Sequence, residues 1–323
     1  MWDGRGRLVD YLRISLTDRC NLRCVYCMPE TGVKPLPHEQ ILTFEELTRL
    51  AACFSKLGIR KIKLTGGEPL VRLGMVKLVR ALREVGSIEQ ITLTTNGVLL
   101  AQHLDALLHA GLDAVNISLD TLEPARFARI TRSDGLERVL DAIRRASSAG
   151  LPVKINCVPL MGLNEQDVVP LAGLARELVT AVRFIELMPI GCGAAYTAMP
   201  FEQLRSMLET AYGALTPFDG SLGNGPAQYC ALKGFSGKIG FIRAVSDEFC
   251  HSCNRVRLAA DGGLKTCLHQ RAAVNLRDMI RTGASDEAIC ACIGKALEEK
   301  PDGHHFGCAQ PNDEARFMVS IGG

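Results

Sequence analysis

Short β-branched runs alternate with amphipathic ones along the first two-thirds of the chain. YLRISLT (11–17), KIKLTGG (61–67), ITLTTNG (91–97), AVNISLD (114–120), PVKINCV (152–158) and AVRFIELMP (181–189) read as six strands. Helical patterns lie between them. In TFEELTRLAACFSKLG, Phe44, Leu47, Leu50, Ala51, Phe54 and Leu57 share one helical face. Thr43 with Glu46 three residues on predicts a capping box, and Gly58 a stop. Similar patterns cover 73–85, 99–110, 136–149, 167–178 and 201–212. Six alternating units predict a mostly parallel sheet with right-handed crossovers, short of the eight units that close a full barrel. The expected fold is α/β, an incomplete (β/α)6 TIM-like barrel. Its polar strand ends, among them Thr17, Ser118, Asp120, Asn156 and Glu186, should gather at one mouth.

The texture changes near residue 216, which divides the chain into a partial barrel (1–215) and a C-terminal domain (216–323). FDGSLGNGPAQY (218–229) is loop-like and KIGFIRAV (238–245) reads as a strand. RVRLAADGGLKTCL (255–268) reads as a hairpin. A three-residue loop of Asp261, Gly262 and Gly263 would oppose Ala260 to Leu264 and Arg257 to Cys267. Two helical patterns follow, at 275–280 and 286–299.

Composition narrows the class. With 323 residues, 47% of them hydrophobic, the chain can bury a large core. A net charge of +2 argues against a general nucleic-acid binder. No apolar run is long enough for a membrane span, and no secretory signal pattern opens the chain. A cytoplasmic enzyme is expected. Thirteen cysteines, an odd number without a signal, argue against a disulfide framework. Six fall into two tight groups. The others, Cys53, Cys157, Cys192, Cys230, Cys290, Cys292 and Cys308, read as small buried hydrophobes.

The first group, Cys20, Cys24 and Cys27, has the spacing C-x3-C-x2-C just after the first strand. A site fully ligated by protein would want four donors. Three thiols can hold three irons of a cubane and leave the fourth iron open. Zinc with a distant fourth ligand is the alternative, but the spacing is uncommon for zinc and the next histidine is His38. This motif after the first strand of a βα barrel resembles the radical S-adenosylmethionine superfamily. The resemblance implies a [4Fe-4S] cluster whose open iron chelates S-adenosyl-L-methionine. It places Tyr26 by the adenine and the Gly66–Pro69 turn, with Gly67, at the methionine amino group. Ser118 and Met188 match further cofactor contacts, and Glu68 suits an ammonium acceptor.

The second group, Cys250, Cys253 and Cys267, has the spacing C-x2-C-x13-C across the hairpin. On spacing alone a zinc knuckle using His251 or His269 and a second cluster stand level. YLRISLTDRCNLRCVYCMP, LTGGEPLVR, ELMPIG, FCHSCNRVRL and the terminal IGG together resemble the GTP 3′,8-cyclase family over nearly the whole chain. Its members catalyse the first step of molybdenum cofactor biosynthesis. The resemblance implies two [4Fe-4S] clusters, the second binding the guanine edge of GTP. It implies a 5′-deoxyadenosyl radical that removes the ribose 3′ hydrogen, after which the ribose carbon adds to guanine C8. It assigns GTP contacts to Arg13, Lys63, Thr94, Lys154, Arg255, Val256 and Arg257. It assigns turnover to Arg255, Arg257 and the Gly322-Gly323 tail. Lys63 stands where the family more often has Arg, keeping the charge without the bidentate fork. The resemblance also implies a homodimer and a flavodoxin or ferredoxin electron donor. The product would pass to cyclic pyranopterin monophosphate synthase. A peptide-modifying maturase and a zinc-stabilised binding module are the competing readings.

Overall fold

The computed structural model describes residues 1–246, 249–306 and 314–322. Cys308 and Gly323 lie outside them. Among the described residues twelve strands form one open sheet. They are β1 (Tyr11–Ser15), β2 (Lys61–Thr65), β3 (Gln90–Thr95), β4 (Ala114–Ser118), β5 (Val153–Cys157), β6 (Ala181–Ile185), β7 (Thr216–Phe218), β8 (Gln228–Ala231), β9 (Lys238–Ile242), β10 (Arg255–Leu258), β11 (Gly263–Lys265) and β12 (Val274–Asn275). Strands β1 to β6 pair in parallel in chain order, as the six βα units require. The later strands extend both edges of that sheet. β9 joins β6 in parallel, and β10 joins β1 in parallel. Eight parallel strands result, flanked by antiparallel pairs, and the edges β12 and β7 stay apart.

The helices are α1 (Phe44–Lys56), α2 (Met75–Arg83), α3 (Leu100–His109), α4 (Pro124–Thr131), α5 (Leu136–Ser148), α6 (Val168–Gly173), α7 (Phe201–Tyr212), α8 (Leu276–Arg281), α9 (Asp286–Glu298) and α10 (Met318–Ile321). Helix α1 shows how local sequence sets them. The Thr43 hydroxyl accepts from the Glu46 amide at 3.2 Å, and the Glu46 carboxylate accepts from the Thr43 amide at 2.7 Å. Gly58, at φ +96°, ends the turn. Leu47, Leu50, Ala51 and Phe54 are fully buried against the sheet. Each large side chain so buried contributes roughly 1.5–3 kcal/mol. Helix α4 was not expected; Pro124 at its first turn and Glu123, which accepts from the Ala125 and Arg126 amides, nucleate it. No described helix is long and apolar enough to cross a membrane.

The hairpin forms with a different register from the expected one. Leu258 opposes Leu264 and Arg257 opposes Lys265. The Ala259 amide donates to the Gly263 carbonyl at 2.9 Å and the Gly262 amide to the Ala259 carbonyl at 3.0 Å, so the three-residue loop is 260–262, one position earlier than expected. Gly262 supplies the left-handed backbone this turn needs, at φ +87°. Extending the register sets Cys267 across from Arg255, two residues nearer Cys253 than expected.

Candidate active site

A cavity of about 380 Å³ runs along the inner face of the parallel strands. All six grouped cysteines line it. The first trio sits in the loop leaving the C-terminal end of β1. The Cys27 amide donates to the Cys24 carbonyl at 2.9 Å, which curls that loop. The second trio sits at the opposite end of the neighbouring strand. Cys250 and Cys253 precede β10, and Cys267 follows β11, which returns antiparallel beside it.

The two thiol sets differ electrostatically. Burial, then the charges of Cys27, Asp120 and Cys20, pushes the Cys24 thiol well up. Burial, Cys20 and Cys192 push Cys27 up to about 12. Burial also opposes ionisation of Cys253, but Arg255 and Lys300 outweigh it and bring that thiol down to about 6. The Arg255 guanidinium lies 3.6 Å from the Cys253 sulfur and over the Phe249 ring. Among the described residues no three His, Cys, Asp or Glu side chains are grouped to hold a single metal ion. A cubane instead carries each thiolate on a separate iron. Soft donors, three per site on one cavity, fit iron–sulfur clusters at both ends.

The Gly66–Gly67 turn packs directly on the first cysteine loop. A Cβ on Gly67 would lie 2.3 Å from the Arg19 carbonyl oxygen, so only glycine allows this approach. Both glycines, Ser118 and Met188 line the cavity. Tyr26 also lines it, and its phenol donates to Asp120 at 2.6 Å. Burial raises the Asp120 carboxyl to about 6. Glu68 is placed differently from an ammonium acceptor. It is fully buried and accepts from the Leu70 and Asn96 amides and the Thr95 hydroxyl, at 2.7–3.0 Å.

Cations occupy the middle of the strands. Register sets Arg257, Arg13 and Lys63 side by side on β10, β1 and β2. Lys154, on β5, is level with Asn116 on β4, which is level with Thr94. The Asn116 amide donates to the Thr94 hydroxyl at 3.4 Å. Burial, then Arg13, Arg183 and Lys154, drives the Lys63 ammonium well below its ordinary pKa. Burial and Arg183 lower Lys154 to about 8. Burial, then Arg13 and Arg255, likewise lowers Arg257 strongly. Among the described residues neither Lys63 nor Lys154 has a carboxylate partner. Val256 differs from its flanking arginines: its side chain is fully buried outside the cavity lining, leaving only its backbone for contact.

Gly322 reaches this row of cations. Its carbonyl accepts from Arg257 at 3.0 Å, and its φ is +73°. Sequence reasoning missed Arg183, which lines the cavity and donates to Asn156 at 2.9 Å. A charged residue inside a buried parallel strand was the available signal. It also missed Arg7 and Lys300, buried behind the second trio in segments with no periodic pattern.

The chain was compared with known proteins. Residues 14–175 match the radical SAM superfamily model, and residues 180–306 match Molybdenum Cofactor Synthesis C. It is 45% identical to the GTP 3′,8-cyclase of Syntrophomonas wolfei and 43% identical to that of Clostridium perfringens, over 100% of both chains in each case. It is 46% identical to that of Moorella thermoacetica, again over 100% of both. Among solved structures it resembles Streptococcus suis SuiB at a TM-score of 0.64, with 13% identity over 92% of this chain and 73% of that one. HydG, a maturase of the [FeFe]-hydrogenase, resembles it at 0.51, with 16% identity over 64% of this chain and 50% of that one. These two likenesses show the fold.

Proposed function

The chain belongs to the GTP 3′,8-cyclase family of radical S-adenosylmethionine enzymes, and on that premise we propose how its residues carry the reaction. The enzyme converts GTP to 3′,8-cyclo-7,8-dihydro-GTP, the first step of molybdenum cofactor biosynthesis. One observation carries the substrate reading: Lys63 and Lys154 are buried ammoniums facing a cavity without carboxylate partners among the described residues. Buried charge is stable only when neutralised. A triphosphate supplies the missing negative charge, and Arg13, Arg183, Arg255 and Arg257 add guanidinium forks beside it.

Cys20, Cys24 and Cys27 would hold the first [4Fe-4S] cluster, and Gly67, Ser118, Tyr26 and Met188 would seat S-adenosyl-L-methionine beside it. When bound, that pair supplies the one-electron chemistry by which the ribose 3′ hydrogen is removed and the ribose carbon joins guanine C8. Cys250, Cys253 and Cys267 would hold a second cluster at the guanine end. The chain's own part is positional. The lysines fix the phosphates, Thr94 and Asn116 fix the nucleoside between the two thiol sites, and the tail with Arg257 narrows the space around the ribose. A homodimer, a flavodoxin or ferredoxin donor, transfer of product to cyclic pyranopterin monophosphate synthase, a cytoplasmic location and the domain division at 215/216 complete the proposal.

The test is product analysis. Anaerobically reconstituted protein with GTP, S-adenosyl-L-methionine and dithionite should yield 5′-deoxyadenosine and a cyclised nucleotide in GTP-dependent amounts. Deoxyadenosine that forms equally without GTP, with no cyclised product, overturns the reading.

A further inference from the structure

Behind the second cysteine trio lies a cation that the reaction above does not use. Lys300 lies two residues past the last residue of α9, just after the Glu299 cap, and is 3% exposed. Its ammonium donates to the Arg255 carbonyl at 2.9 Å and to the Thr266 carbonyl. Arg255 stands two residues after Cys253, and Thr266 immediately precedes Cys267. One ammonium therefore ties together the two backbone segments that carry those thiols. The neighbouring Arg7 offers the contrast. Its guanidinium donates to the Cys250 carbonyl at 2.9 Å and to the Lys300 and Pro301 carbonyls, but it is paired with Asp3 at 2.6 Å. Arg7 is locally neutralised. Lys300 faces only carbonyl dipoles, the thiols and other cations among the described residues.

A clamp alone does not require charge, since a neutral amide donates to carbonyls as well. An ammonium buried without an acid costs several kcal/mol unless an anion nearby offsets it. The candidate anions here are the thiolates of Cys253 and Cys267 and whatever assembly they hold. Net charge and hydrogen bonding around an iron–sulfur cluster set its reduction potential.

We propose that Lys300 is a positioning residue for the second cluster, clamping the Cys253 and Cys267 segments and holding the cluster's reduction potential up with its charge. This rests on the two-cluster reading. A buried positive charge favours the more negative, reduced form of the cluster. Removing it makes reduction harder.

The experiment uses the full chain with Cys20, Cys24 and Cys27 changed to Ala, so that only the second site can load. After reconstitution with iron and sulfide, iron is counted and the midpoint potential is read by EPR-monitored titration with dithionite. The parent should hold about four irons. Lys300→Met and Lys300→Gln should each disfavour reduction by about tenfold, about 59 mV for a one-electron couple, and Lys300→Arg should restore most of it. Should Lys300→Met not retain the cluster, Lys300→Gln decides, because its amide keeps a donor without the charge. A parent-like potential in Lys300→Gln leaves only a mechanical clamp and overturns the proposal. A parent without iron overturns the two-cluster reading first, and the role of Lys300 falls with it.

Discussion

Lys154 enters the cavity from the second position of β5 with its ammonium pulled down to about 8 by burial and by Arg183. The sign of its effect follows from linkage. Below about pH 8 the folded chain holds this proton against its environment. Between about 8 and the ordinary lysine pKa of roughly 10.4, the unfolded chain binds more protons than the folded one. The ligand-free protein is therefore penalised at pH 7, by roughly 3 kcal/mol at most, and the penalty is relieved as pH rises through that window. Lys154→Met should stabilise the ligand-free protein at pH 7 by about 1–3 kcal/mol in denaturant titrations. The same change should weaken GTP binding by at least about tenfold, the equivalent of one lost charged contact. In the unsubstituted chain GTP affinity should fall above about pH 8, because the phosphate contact proposed for Lys154 needs the protonated lysine. Lys154→Arg should remove the share of that pH dependence that Lys154 carries, since arginine stays charged, and leave the share of Lys63. A pH-independent affinity between 7.5 and 9.5, measured by equilibrium dialysis, would remove Lys154 from the phosphate site.

The elements that sequence reasoning placed best are those with strong local signals. The six barrel strands, the Thr43 capping box and the span Phe201–Tyr212 of α7 follow from periodicity and end signals. Local sequence did not show where the C-terminal strands go. KIGFIRAV reads as a strand, but nothing in it says that β9 lies parallel to β6, because that pairing is decided by the open sheet edge. The hairpin register slipped for a related reason: a three-residue loop can begin at Ala260 or at Asp261, and the observed one begins at Ala260, which puts Gly262 at the left-handed position. The tail is held by a contact equally invisible in sequence. Glu314 accepts from Lys265 at 2.7 Å and from Arg316 at 3.1 Å, and Lys265 is fully buried. Burial raises the Glu314 carboxyl, but Arg316 and Lys265 outweigh it and hold it at about 2. This support is present above the ordinary carboxylate range and is lost as pH falls through about 2. Glu314→Gln leaves Lys265 buried and unpaired, which should cost about 3–5 kcal/mol of stability. It should also loosen the segment that carries Gly322 to Arg257. The expected result is a lower thermal midpoint with faster proteolysis near residue 314 and reduced turnover. A parent-like midpoint would show that this ion network does not anchor the tail.

At the scale of the molecule, the sheet sets the order of events along one axis. The first trio leaves the C-terminal end of β1, and the second gathers at the N-terminal end of β10, its parallel neighbour. Five residues of strand separate the two ends, roughly 16 Å. Arg13, Lys63 and Arg257 stand level with one another between them. A nucleotide spanning that interval can present its base to one thiol site and its ribose toward the other while the cations hold its phosphates. This separation makes the two sites independent in a way that can be measured. Cys27→Ala should load about four of the eight irons expected for two cubanes. It should still bind GTP, and it should form no 5′-deoxyadenosine. Cys253→Ala should also lose about half the iron, yet it should keep reductive cleavage of S-adenosyl-L-methionine while losing cyclised product. Iron analysis, GTP binding and nucleoside chromatography on the same preparations separate these patterns. If both variants lose iron and deoxyadenosine formation together, the two ends of the barrel act as one folding unit rather than as two sites joined by the substrate.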